Sequence, residues 1–319
     1  MENLKLWVSS TPHIRDNATI DDIMLDVILA LMPAAFAGVY YFGRRALLMM
    51  VISVAACVLF EYVFEIINKR KRTINDLSAV VTGMLLAMVM PVGAPYYIAV
   101  IGAFFAIIIT KQMFGGIGQN FMNPALAARA FLLASFPVYM TTFPLTRMDI
   151  TTKTADVITG ATPLSKEYSG APAGILEQLL GKMSDGTPIG GCIGETCALA
   201  ILLGFLYLLI RRVISVRTPL SYLAAVMVLS ALSGENAVLS VLSGGVLFGA
   251  VFMATDYVTT PTTRPGQVIF GLGCGFITWI IRSFGGYPEG VTYAILLMNV
   301  LTPLLDKFTV PKAFGAAKN

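Results

Sequence analysis

Apolar residues along this chain fall into ten blocks. They occupy roughly 23–42, 46–67, 76–91, 96–112, 123–140, 194–211, 218–233, 238–255, 266–283 and 290–306, with short polar segments between them. Blocks of this kind predict membrane-crossing helices, which need about 20 apolar residues to span a bilayer untilted. Several are shorter than that. The third, fifth and tenth contain or abut Pro and Gly, which predicts broken or re-entrant helices at those places. Irregular backbone at membrane depth is tolerated only where protein covers it or where it lines a cavity.

The pattern divides the chain into a polar N-terminal tail (1–22), a first membrane half (23–140), a polar loop (141–193), a second membrane half (194–306) and a short C-terminal tail (307–319). Composition agrees with an all-α integral membrane protein. The chain is 56% hydrophobic and 13% charged, against about a quarter charged in soluble domains. The net charge of +4 is small, and no basic run with interleaved aromatics suggests nucleic acid. The N-terminal tail has no apolar core of its own and does not read as a cleavable signal peptide.

Lys and Arg positions set the expected orientation. The strongest clusters, "NKRKR" at 68–72 and "RRVISVR" at 211–217, fall on one side if both termini are cytoplasmic; "FGRR" at 42–45 dissents. The loop 141–193 then faces outward. The two halves also resemble each other. Pro91 matches Pro261, Pro95 matches Pro265, and the Phe-Gly-Gly at 114–116 matches that at 284–286, all with one common offset. Five spans per half make the second half inverted relative to the first, a transporter-like architecture.

Polar residues inside or beside the spans are costly and mark an interior, a cavity or a partner. Glu61 and Glu65 share a helix face and are read as lying at the membrane interface before the basic cluster. Asp76 and Asp256 stand near the cytoplasmic boundary, as helix-end residues or as members of an ion path. Arg129 lies deeper and needs an anion, either a carboxylate or a bound phosphate or flavin dipole. The stretch "KQMFGGIGQNFMNPALAARAF" reads as a tight turn leading into a helix. Asn120 and Asn123 there can cap freed backbone groups, or help cradle a cofactor or ion. Cys57 and Cys274 read as packing residues, while Cys192 and Cys197 lack a full ligand set for a cluster. His13 stands alone, so no metal site is expected.

"DLSAVVTGMLLAMVMP", "KQMFGGIGQNFMNPALAARAF", "GETCALAILLG" and "ATDYVTTPTT" cover nearly the whole chain in order, and together they resemble the NqrB/RnfD family. Within it, the short N-terminal tail favours the RnfD members found in Rnf electron-transport complexes. The resemblance extends at fold level to the urea-transporter type of architecture. In the outer loop, "DVITGAT" matches the family's flavinylation pattern, D-x-x-[ST]-G-A-[ST]. The resemblance implies FMN joined through a phosphoester to the hydroxyl of Thr162, with Asp156, Thr159, Gly160 and Ala161 forming the motif read by a flavin transferase of the ApbE type. It leaves room for a second, non-covalent flavin, riboflavin or FMN, with Arg129, Asn120 and Asn123 as cofactor-binding candidates.

The implied partners are the other Rnf subunits, including a second flavinylated subunit and iron–sulfur subunits, together with membrane lipid. The implied activity is electron transfer between ferredoxin and NAD coupled to Na+ or H+ movement, with Asp76 and Asp256 as ion-path candidates. No nucleotide fingerprint or cluster-binding Cys set is present, so the chain is not expected to catalyse the reaction alone. The alternative is a stand-alone channel or secondary transporter of the same fold, which has no use for a flavin motif.

Overall fold

The computed structural model describes residues 19–69, 76–144, 159–160, 174–183, 189–285 and 290–311. It is mostly helical. Helix α1 (Ile20–Phe42) opens on a capping box, in which Thr19 and Asp22 satisfy each other's backbone donors, and meets α2 (Arg44–Ile67) at Gly43. Helix α3 (Ser78–Met88) follows, then α4 (Tyr96–Phe104), which continues as a π-helical segment, Phe105–Gln112. Helices α5 (Pro124–Ser135) and α6 (Pro137–Thr141) close the first half.

Two short strands, β1 (Phe143–Pro144) and β2 (Thr159–Gly160), then pair antiparallel, and α7 (Ile175–Leu180) follows. The second half holds α8 (Ala198–Ile210), α9 (Arg217–Leu232), α10 (Ala237–Leu242) and α11 (Val246–Phe248) with a π-helical continuation, Gly249–Met253. It ends with α12 (Arg264–Phe284) and α13 (Val291–Thr309). Four helices, α1, α2, α12 and α13, are long and apolar enough to cross a membrane. Shorter apolar helices pack among them.

Each apolar block of the sequence corresponds to helix, and the interruptions follow the backbone chemistry. The third block yields an 11-residue helix, about 16 Å long, or roughly half a bilayer. The fifth breaks at Phe136, because Pro137 cannot continue the ladder of α5. The tenth does not break: α13 runs unbroken through Pro303. The eighth breaks instead, at Ser243–Gly245, where Gly244 has φ 66°. A Gly-Gly pair stands at that break, but such pairs do not by themselves say which interruption the neighbouring helices will satisfy.

Non-helical backbone inside the bundle is satisfied by pairing between segments distant in sequence. Ile193 N–H donates to the Met90 carbonyl (3.2 Å) and Gly194 N–H to the Met88 carbonyl (2.7 Å). Arg45 donates to the carbonyls of Val92, Gly93 and Ala94. These bonds meet the requirement that buried polar backbone find partners.

Helices α1 and α8 lie antiparallel. Near the start of α1, buried Asp26 accepts both a Tyr207 hydroxyl (2.8 Å) and Arg211 Nε (3.1 Å to each oxygen) from the far end of α8. Near the end of α1, Gly38 packs against Ile193, just before α8 begins. On α12, Gly271 and Gly275 lie one turn apart and face α9. A Cβ at Gly271 would stand 2.7 Å from the Thr218 carbonyl oxygen, and one at Gly275 2.9 Å from that of Tyr222. Small residues at this spacing let membrane helices approach closely. Gly275→Leu is therefore expected to destabilise the bundle by about 1–3 kcal/mol through overpacking, read as a lowered melting temperature in detergent. A lipid-facing control, Leu272→Ala, half-exposed in the structure, should change it much less.

Candidate functional site

A cleft opens at the end of the bundle where α1 begins. Its apolar walls come from α1 (Met24, Val27), α3 (Val81, Leu85), α8 (Leu208) and Phe252. Its polar lining is Ser78, Thr82, Lys111, Asn120, Asn123, Thr255 and Asp256. Tyr41, at the opposite end of α1, donates its hydroxyl to the Leu180 carbonyl of α7. The cleft and the segment that follows the long polar loop therefore lie at opposite ends of α1.

The turn before α5 brings Asn120 and Asn123 to the cleft. Gly115, Gly116 and Gly118 all have positive φ (125°, 98° and 83°), a region open to glycine and strained for other residues. Asn123 caps α5, accepting from Ala125 N–H (3.0 Å) and Leu126 N–H (3.3 Å), while its amide reaches the Met253 carbonyl (3.5 Å). Pro124 takes the first helical position, where a missing N–H costs nothing. Asn120 donates to the Met122 carbonyl (3.0 Å). The capping expected of these asparagines is present, and both also line the cleft.

Asp76 and Asp256 each fix local backbone. Asp76 accepts from the Ser78 N–H (2.9 Å) at the start of α3. Asp256 accepts from Val258 N–H (3.3 Å) and the Thr259 hydroxyl (3.2 Å). Asp256 also lines the cleft. Asp76 adjoins it through the Ser78 hydroxyl, which donates to its carboxylate.

Sequence reading missed Lys111, which stands at the end of the fourth apolar block. The structure buries it at 3% exposure. Its ammonium donates to Glu61 Oε1 (2.7 Å) and to Ser78 Oγ (2.6 Å). The adjacent Gln112 also donates to Glu61 Oε1 (2.8 Å). Consecutive side chains reach one acceptor from the end of the π-helical segment, and such segments are frequent at functional sites. The interface reading of Glu61 and Glu65 is corrected here: both are buried, because their shared face of α2 turns into the bundle. A lysine at the end of the apolar run "FAIIITKQ" was the available signal.

Arg129 does not line the cleft. It lies in α5, buried, and its anion is a carboxylate. Nη1 donates to Glu195 Oε1 (3.2 Å), and Nη2 lies 3.3 Å from the Cys192 sulfur. Of the two anions the sequence left open, the structure supplies the first. Among the described residues, no group of three or more His, Cys, Asp or Glu is placed to hold a metal.

The polar loop is reached only at its edges. Thr159 and Gly160 pair with Pro144 and Phe143 through the backbone, so that part of the "DVITGAT" motif is laid against the segment leaving α6. Asp156, Ala161 and Thr162 lie outside the described residues. The end of the loop is held down by α7, where buried Gln178 and Ser243 exchange hydrogen bonds (2.7 and 3.0 Å).

The chain matches the model of the NQR2, RnfD, RnfE family over residues 7–315. It is similar to the D subunit of the Na(+)-translocating ferredoxin:NAD(+) oxidoreductase complex of Acetobacterium woodii, with 48% identity over 321 residues, 100% of this chain and 98% of the relative. It is 42% identical over 324 residues to the D subunit of the proton-translocating ferredoxin:NAD(+) oxidoreductase complex of Clostridium ljungdahlii, covering 98% of this chain and 96% of the relative. The D subunit of the ion-translocating oxidoreductase complex of Stutzerimonas stutzeri is 38% identical over 335 residues, 93% of each chain.

Proposed function

The chain belongs to the NQR2, RnfD, RnfE family, and from that membership we propose that it is the flavin-carrying membrane subunit of an ion-translocating ferredoxin:NAD+ oxidoreductase complex. The single observation that carries this reading is similarity along the whole chain to relatives bearing that name. The protein is then a subunit of an oxidoreductase that moves Na+ or H+, working with iron–sulfur and flavinylated partner subunits and modified by an ApbE-type transferase.

In this reading Thr162 is the acceptor. Its hydroxyl oxygen, losing its proton, bonds to the FMN phosphorus of FAD, the pyrophosphate bond breaks and AMP leaves, and Asp156, Thr159, Gly160 and Ala161 present the hydroxyl to the transferase. The short ladder of Thr159–Gly160 on Phe143–Pro144 fits a tethered cofactor, because it anchors the motif just before the acceptor. The ten apolar segments are two inverted repeats of five, in a urea-transporter-like arrangement. Three facts support this. The leading helices α1 and α8 are antiparallel. Pro95 precedes α4 as its cap, and Pro265 opens α12. The third segment of each half has a helix that is cut short or broken. Both termini and the cleft face the cytoplasm, and the Thr162 loop faces outward.

The cleft suits a second, non-covalent flavin, riboflavin or FMN. Apolar walls and a polar edge match a flat ring that is oily on its faces and hydrogen-bonding at its rim. Asn120, Asn123 and Lys111 would hold the rim, and Val81, Leu85 and Phe252 the faces. When bound, flavin supplies one- and two-electron transfer; the protein supplies binding, orientation and electrostatics. Arg129 takes no part in binding and instead braces the end of the loop through Glu195.

Membranes lacking this subunit and complemented with Thr162→Ala are expected to assemble the complex. They should lose ferredoxin-driven NAD+ reduction by at least tenfold. Full activity in the assembled variant would make the chain a passive scaffold. For the ion route, Asp76→Asn and Asp256→Asn are each expected to slow ion uptake coupled to electron transfer. Unchanged uptake in both variants would take this subunit out of the ion path.

A further inference from the structure

Resting on the reading that the cleft holds a redox ring, we propose that Lys111 is the cation that meets the negative charge delivered to the cleft on reduction, with Glu61 and Gln112 as its positioning residues. Two electrons from the reduced carriers of the complex and one proton from water leave one net negative charge in the cleft. The apolar walls of the cleft cannot stabilise that charge, and the Asp256 carboxylate in its lining opposes it. Lys111 lines the cleft and is its one Lys or Arg among the described residues.

The way Lys111 is held favours this role. An ammonium has three N–H donors on a flexible stem. Two of them rest on Glu61 and Ser78, and the third has no partner among the described residues. Glu61 does not depend on Lys111 alone, because Gln112 donates to the same oxygen. The ammonium can therefore lean toward the cleft while Glu61 keeps a hydrogen bond. Ser78 links the cluster onward to Asp76, so a shift of the ammonium is felt at the carboxylate that caps α3. A merely structural ion pair has no need of a place in the cleft wall, where Lys111 stands.

The test is the reduction potential of the non-covalent flavin in purified complex carrying Thr162→Ala, which removes the covalent flavin of this subunit. Three versions are compared: parent, Glu61→Gln, and Glu61→Gln with Lys111→Met. Removing both partners avoids stranding a buried charge. The single variant leaves Lys111 without its counter-charge and should raise the potential. The double variant should lower it below the parent. A tenfold change in the preference for the reduced ring corresponds to about 30 mV for two electrons. Equal potentials in parent and Glu61→Gln, or a double variant that fails to fall below the single one, would overturn the assignment. Absence of any flavin assignable to this subunit in the Thr162→Ala parent would instead sink the cleft reading on which it rests.

Discussion

Thr162→Ala, produced together with the flavin transferase, is expected to give a dark band on a denaturing gel where the parent band fluoresces as flavin. The effect is all or none, because a phosphoester survives denaturation and a non-covalently bound flavin does not. The residue types explain why the acceptor is so specific. Gly160 and Ala161 leave the approach to the hydroxyl open, and Pro163 restricts the backbone just after it. Thr162→Ser keeps a hydroxyl at that place and should retain fluorescence. A dark parent band, with the transferase active on another substrate, would bring the channel reading to the front. Thr159 carries a hydroxyl three residues earlier, so Thr159→Ala tests whether it serves the transferase: weaker labelling is expected, not a different labelled residue.

The second large effect concerns the brace between Arg129 and Glu195. Both are buried, at 3% and 6% exposure, and they join α5 to the segment that leads from the polar loop into α8. Removing one member of such a pair leaves a charge in a low-dielectric interior, at a cost of about 3–5 kcal/mol. Arg129→Met and Glu195→Gln should each lower the melting temperature in detergent by many degrees. The double variant should recover more than half of that loss, because no charge is stranded. Two single variants close to parental stability, with additive effects, would show that the pair does not hold the loop end in place. The brace also sits beside Gly245, whose added Cβ would lie 2.6 Å from Glu195 Oε1. A side chain at Gly245 therefore has no room beside that carboxylate.

The positions of the helices were legible in the sequence because apolar blocks and Pro–Gly punctuation are local signals. The short α3 and the break at Pro137 could be read that way. The break at Ser243–Gly245 and the continuity of α13 through Pro303 could not, since the neighbouring helices decide which interruption is satisfied. Polar residues were legible in type and not in direction. Asn123 looked like a cap and is one. Glu61 stands near the basic cluster in sequence, yet α2 turns it inward to Lys111 on a helix 50 residues further along. Arg129 announced its need for an anion, but only folding brings Glu195 to it from 66 residues away. The flavin reading of "DVITGAT" rests on resemblance alone, because "TGAT" is by itself an ordinary turn of small residues.

The bond between Asp26 and Arg211 has a consequence for how the protein is made. The two residues are 185 positions apart, and a ribosome adding about 5–20 residues per second needs roughly 10–40 s to cover that distance. During this interval α1 has left the ribosome with an acidic group that later becomes buried and has no basic partner yet. Either Asp26 stays at the headgroup level until α8 arrives, or α1 waits beside the insertion machinery. The first half of the bundle is then not a finished folding unit when its synthesis ends, and the two halves complete each other only after the long polar loop between them has been made.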